Sequence, residues 1–368
     1  MRGRPAARGR PRDRHLTSDA GLDNLSDIPR SDGSAMRAGI VVWLDRPSAQ
    51  LADLATQAED AGFSDVWLPD HYFLRDVYVT QALMAERTTR IGLGTGVAAV
   101  QLRHPALIAS SASTIDELSG GRALIGIGPG GFEFPVQFGM RPQSPLSLMR
   151  DSIGIIRGLL SGRADHRGRT LSAAGAKLGW DTRAIPIYTS GRGPRMIELA
   201  GELADGVIVH GLNPEFIEYV REHVERGAGR AGRRPADCGI SIMLDVEIDD
   251  DEDAAIERLK PRCKMMAGGS YTDELIPVYG LDPDDVGVLR AAVSSGDPDA
   301  GSLVTEPMAR TFALGGSVST IAKGLEQLRG LGVDHVILKL GEGDPGATAA
   351  QLKLIAPAIE ETVVDGRG

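Results

Sequence analysis

Residues 91–131 read IGLGTGVAAVQLRHPALIASSASTIDELSGGRALIGIGPGG. The apolar run Ile91–Thr95 reads as a strand. His104 and Pro105 then open a segment, Leu107–Leu118, whose apolar residues fall at helical spacing. Ala123–Gly128 is a second apolar run, again closed by glycines. Strand, helix, strand with such a short return is a βαβ unit, which makes the two strands parallel.

The same alternation extends in both directions. Upstream, Ala38–Trp43 reads as a strand. Ser48 is expected to cap a helix with Leu51, Leu54, Ala55 and Ala58 on one face, and Gly62 to end it. Asp65–Pro69 is the next strand, and a helix runs from Tyr78 to Arg87. Downstream come helix Leu146–Leu160, strand Ile185–Thr189, helix Pro194–Leu203, strand Gly206–His210, helix Pro214–Arg226 and strand Gly239–Ile248. Helix Val318–Leu331, strand Val333–Leu340 and helix Ala349–Val363 finish the chain. Eight strands alternating with helices predict an α/β fold, a (β/α)8 TIM barrel. The stretch 251–316 is too long for one crossover and reads as a helical insertion before strand eight. The rival is an open doubly wound sheet. It would carry a glycine fingerprint after the first strand, where this chain has Val42-Trp43-Leu44-Asp45-Arg46.

Residues 1–35 are rich in Arg, Pro, Gly, Ser and Asp and show no periodicity, so a disordered N-terminal tail is expected ahead of one barrel domain, 36–368. Met36 is a candidate start of translation. The net charge is −10. The tail has seven Arg and five Asp, so the barrel carries the acidic excess, which argues against nucleic-acid binding. No apolar run approaches the roughly 18 residues of a membrane span. Cys238 and Cys263 stand apart, in no metal-ligand spacing, and a reducing cytoplasm is the simpler reading.

In such a barrel the chemistry sits at the strand C-termini. Strand two ends in Asp70 and His71, strand three in Gly96 and Val97, and strand four in Gly128, Pro129 and Gly130. Strand five ends in Thr189, Ser190, Gly191 and Arg192, and strand six in His210. Glycine lets main chain approach a phosphate or a flat ring, and the helix start after Arg192 favours an anion. Each has a plainer reading: glycines turn, Asp caps, and a lone His packs. His104, before Pro105, reads as a cap. No metal-ligand pair stands out, and no Gly-x-Ser-x-Gly nucleophile elbow is present.

The runs Asp70-His71-Tyr72, Gly94-Thr95-Gly96-Val97, Arg103-His104-Pro105-Ala106, Asp116-Glu117-Leu118-Ser119-Gly120-Gly121-Arg122 and Gly126-Ile127-Gly128-Pro129-Gly130 resemble the coenzyme F420-dependent methylenetetrahydromethanopterin reductases. Those enzymes belong to the luciferase-like superfamily of barrel flavin enzymes. The resemblance spans about Met36 to Val363 and is most specific from Asp70 to Gly131. It implies a luciferase-like barrel, coenzyme F420 (FMN being the alternative) and hydride transfer at the deazaflavin C5. It implies a bulge after strand three with a cis Gly96-Val97 peptide behind the ring. It implies Asp70, Gly96, Val97, Pro129, Gly130, Thr189, Ser190, Gly191 and Arg192 at the cofactor, and Trp43 and His210 beside a small-molecule substrate. His71 and Asp70 are the catalytic candidates, because an imidazole with a pKa near 6.5 suits proton movement beside hydride transfer. An FMN-dependent monooxygenase or a non-catalytic flavin-binding protein are the other readings. A homodimer or higher homo-oligomer is also implied. Where the reductases carry a Glu in strand one this chain has Val41, so the substrate is expected to differ.

Overall fold

The computed structural model describes residues 36–71, 73–130, 139, 144–269, 273–341 and 345–362. The tail expected over residues 1–35 lies outside them. In chain order the strands are β1 (Arg37–Val41), β2 (Asp65–Leu68), β3 (Gly92–Thr95), β4 (Ala98–Ala99), β5 (Ala123–Gly128), β6 (Ala164–Arg167), β7 (Ser172–Ala176), β8 (Ile187–Ser190), β9 (Gly206–Val209), β10 (Gly239–Ile248), β11 (Ala313–Gly316) and β12 (His335–Leu340). Eight of them close in the order β10-β12-β1-β2-β3-β5-β8-β9 and back to β10, with every pairing parallel. The expected barrel is therefore present.

The helices around it are α1 (Ser48–Asp60), α2 (Val77–Arg87), α3 (Pro105–Ser119), α4 (Pro145–Leu160), α5 (Pro194–Leu203), α6 (Pro214–Ala231), α7 (Glu252–Gly268), α8 (Leu275–Val278), α9 (Pro283–Ser295), α10 (Glu306–Phe312), α11 (Val318–Gly330) and α12 (Pro345–Thr362). His104 caps α3 as expected, its Nδ1 accepting from the Ala106 amide at 3.2 Å. Ser48 does not cap α1. Pro47 holds that position, and the Ser48 hydroxyl bonds Thr80 across to α2 at 3.1 Å.

Helices α7 to α10 lie between β10 and β11. Residues 313–316, read from sequence as part of the helical insertion, form β11 and pair with β10 from Asp245↔Ala313 to Ile248↔Gly316. Ala-Leu-Gly-Gly is too short to display a period of two. The β6–β7 hairpin is antiparallel and stands outside the barrel. Its largely exposed residues carry no apolar stripe that would mark strands in the sequence.

Side chains alternate across each strand, and the inner ones form layers. At the N-terminal end the layer is polar. Asp65 accepts from Ser64 Oγ at 2.6 Å, from His335 Nε2 at 2.9 Å, from Trp67 Nε1 and from Arg37 at 3.4 Å. Arg37 also donates to the Tyr188 hydroxyl at 2.8 Å. Above it Trp67 fills the barrel, wholly buried and edge-on to Tyr188 at 5.2 Å. Glycines make that possible. A Cβ on Gly94 would stand 2.6 Å from the Trp67 ring, and one on Gly126 would stand 2.0 Å from the Thr95 carbonyl. Both belong to runs read from sequence as ligand loops; here they make room for packing.

Candidate active site

The C-terminal strand ends converge on one mouth. Val41 of β1 and Met243 of β10 join Trp67, Tyr188, Ile208 and Ile337 in an apolar plug, with Trp43 and Val97 packed on it. The Gly96-Val97 peptide is cis. The Gly96 amide donates to the Leu68 carbonyl at 2.7 Å and the Asp70 amide to the Val97 carbonyl at 3.4 Å, so both sides of this bulge are tied to the end of β2. Gly128 faces the bulge. A Cβ there would lie 2.8 Å from Val97 Cγ2 and 3.9 Å from Ser190 Cβ. Gly96, Val97, Gly128 and Ser190 thus form a shelf of nearly bare main chain. The indole Nε1 of Trp43 is buried and has no hydrogen-bond partner among the described residues. A flat ring with acceptors fits a shelf of this kind beside an orphaned donor.

The structure places the other expected residues unequally. Asp70 stands at the mouth, but its carboxylate is taken up by Arg103, with Nε–Oδ2 at 2.8 Å and Nη2–Oδ1 at 3.1 Å. Arg103 also donates to Asp76 at 3.0 Å and lies over the Tyr78 ring at 5.0 Å. In the protein alone the Asp70 carboxylate is thus held by Arg103. His71 follows it, half-buried, its ring edge-on to Phe73 at 5.8 Å. Thr189 stands differently. Tyr188 and Ser190 use the inner face of β8, so Thr189 points outward and is completely buried. Gly130 adopts φ 85°, with Ala99 behind it, and Pro129 leads into it. Gly191 and Arg192 precede α5, whose N-cap Gly193 offers no side-chain acceptor. The Arg192 guanidinium reaches α7 and donates to the Met266 carbonyl at 2.7 Å.

His210 holds its ring through Nδ1, 2.9 Å from the Met243 carbonyl. A carbonyl only accepts, so Nδ1 carries the hydrogen and Nε2 is the bare nitrogen of the neutral ring. Burial, with Lys339 and Arg192 adding to it, pushes the His210 pKa down to about 3. A buried acid–base cluster escaped the sequence reading. Asp245 accepts from Lys339 at 2.6 Å and from Arg262 at 3.0 Å, and Arg262 also reaches Glu247 at 3.2 Å. The available signal was alternation: Ser241, Met243, Asp245 and His335, Ile337, Lys339 each trace one inner face.

A cavity of about 1180 Å³ lies at the opposite end of the barrel, beside Arg37, Asp65 and Arg122. Its polar groups already serve the fold. Arg122 donates to the carbonyls of Ala85, Thr88 and Ile91, and Asp65 has its four donors. The orphaned indole is at the mouth, which makes the mouth the candidate site.

Comparison with known proteins bears on that mouth. The model of the family described as luciferase-like monooxygenase matches residues 30–335. A 5,10-methylenetetrahydromethanopterin reductase of Methanolobus tindarius is 33% identical over 305 residues, 82% of this chain and 93% of its own. The Archaeoglobus fulgidus reductase is 33% identical over 333 residues, covering 88% and 100%. Among solved structures, the coenzyme F420-dependent tetrahydromethanopterin reductase of Methanopyrus kandleri superposes with a TM-score of 0.75 at 30% identity, covering 88% of this chain and 99% of that one.

Proposed function

Because this chain belongs to the luciferase-like monooxygenase family, we propose that it is a coenzyme F420-dependent oxidoreductase acting on a small organic substrate. When bound, the deazaflavin supplies a C5 that accepts or gives a hydride. The observation that carries this reading is the shelf of Gly96, Val97 and Gly128 beside Trp43 Nε1, which has no partner among the described residues. Gly96 and Val97 back the ring. Pro129, Gly130, Ser190, Gly191 and Arg192 surround the phosphate-bearing tail, where the uncapped α5 N-terminus and the Arg192 charge favour an anion. Thr189 contributes main chain only. Trp43 and His210 line the substrate side. His71 is our candidate for moving the proton, and Asp70 acts through Arg103 as a positioning group.

The substrate we propose is not methylenetetrahydromethanopterin. Val41 is buried in the apolar plug and can neither give nor take a proton. We further propose a cytoplasmic enzyme, in keeping with the two buried free thiols Cys238 and Cys263. No helix of the described residues is long and apolar enough to cross a membrane. We also propose a homodimer through the α2–α3 face, where Val79, Leu83 and Leu107 are exposed. Fluorescence titration with F420 and with FMN tests the cofactor. Saturable F420 binding, with FMN at least tenfold weaker, is expected. Tighter FMN binding would point to the monooxygenase alternative.

A further inference from the structure

Lys339 occupies an inner position of β12, one step above Ile337 and in register with Asp245 of β10. The β1–β12 register pairs Ile40 with Leu338, which puts Val41 level with Lys339. The mouth therefore has an ammonium beside an alkyl side chain. In the ring of strands β12 lies opposite β5, and the Gly96–Gly128 shelf spans β3 and β5. Lys339 thus stands across the mouth from the shelf, on the wall that faces whatever is laid against it.

An ammonium has three donors. Among the described residues one goes to Asp245, at 2.6 Å, and no other acceptor is recorded for the Lys339 side chain, which is only 12% exposed. Its counter-ion is shared, because Asp245 also accepts from Arg262 at 3.0 Å. Lys339 is poorly hydrated and keeps two N–H donors for which no acceptor stands among the described residues, a state that costs free energy unless a partner arrives. Its field also reaches His210, where it is the first charge acting to keep the ring neutral.

We propose that Lys339 is a specificity-determining residue that binds an anionic group, a carboxylate or a phosphate, on the substrate. The inference rests on the F420 reading above and deepens it by naming the substrate class. Charge-assisted hydrogen bonds from a half-desolvated ammonium are strong enough to select for such a group.

The test is calorimetric titration of the protein with malonate and, separately, with inorganic phosphate, each with F420 bound and without it. Wild-type protein loaded with F420 should bind at least one of the two anions saturably, and the better arm identifies the group. Lys339→Met should weaken that binding at least tenfold and leave F420 affinity unchanged. Lys339→Arg should keep most of it. If Lys339→Met alone fails to fold, Lys339→Met with Asp245→Asn removes both charges and serves in its place. Binding of neither anion by the wild type, or equal binding by Lys339→Met, overturns the proposal. So does an equal loss of F420 affinity, which would give the cation to the cofactor's own phosphate. Failure of F420 to bind the wild type sinks the cofactor reading instead, and the cofactor-free titrations then decide Lys339 alone.

Discussion

Trp43 Nε1 is a buried donor with no acceptor among the described residues. Leaving such a group unpaired costs roughly 1–3 kcal/mol, recovered only when a ligand supplies the acceptor. Trp43→Phe should therefore leave the unfolding midpoint nearly unchanged, while ligand affinity falls about tenfold, near 1.4 kcal/mol. A large loss of stability with normal affinity would make the indole a packing residue. His71 is tested by His71→Asn and His71→Ala, with cofactor occupancy measured apart from turnover. A loss of about a hundredfold or more is expected for a proton-moving group, and turnover within a few-fold of wild type would leave only packing. The identity of these residues was legible because each sits at a strand end. Their partners were not. Asp70 finds Arg103, 33 residues away, and nothing local in the sequence announces that pair. Lys339 and Asp245 are 94 residues apart and meet only when β10 pairs with β12.

Strands and helices were the most legible level, since one buried face writes a period into the sequence. Helix α5 and strands β5 and β10 lie where the periodicity put them. The hairpin β6–β7 and strand β11 escaped, being short or exposed on one side. Glycines were read correctly as important and wrongly as uniform, and two substitutions separate their roles. Gly126→Ala would drive a Cβ to 2.0 Å from the Thr95 carbonyl. Backbone cannot step aside there, so a loss of about 1–3 kcal/mol is expected in urea unfolding. The close contact of a Cβ at Gly128 is with the Val97 side chain, at 2.8 Å. Gly128→Ala should cost under about 1 kcal/mol but crowd the shelf and weaken cofactor binding tenfold or more. Matching stability losses in the two variants would deny the shelf a special role. At the start of α5, Arg192→Ala should weaken F420 binding and flatten its salt dependence. Affinity unchanged at low and high salt would place the phosphate elsewhere.

Across the whole molecule the two ends of the barrel differ, with a polar layer at one and the candidate site at the other. Burial opposes the charge on Asp65, but His335 and Arg37 outweigh it and hold the carboxyl below its usual range. Burial pushes His335 down, against the pull of Asp65, and keeps it neutral. A histidine neutral in the fold binds its proton first in the unfolded chain, so its share of stability is lost as pH falls below about 6.5, at up to about 1.4 kcal/mol per pH unit. The Asp65 share is present above about pH 4 and lost below it. His335→Gln, which can still donate to Asp65, should reduce the decline between pH 7 and 5; His210 supplies the rest. An unchanged slope would show that His335 carries none of it. Light scattering should give a dimer that Leu83→Glu dissociates, and a wild-type monomer would remove the α2–α3 interface. The most direct measurement of the central claim is a crystal structure of the protein with F420. The account predicts the ring on the Gly96-Val97 shelf beside Trp43, with the phosphate at the amides that open α5. Density in the cavity beside Arg37 and Asp65, or a ring turned away from that shelf, would contradict it.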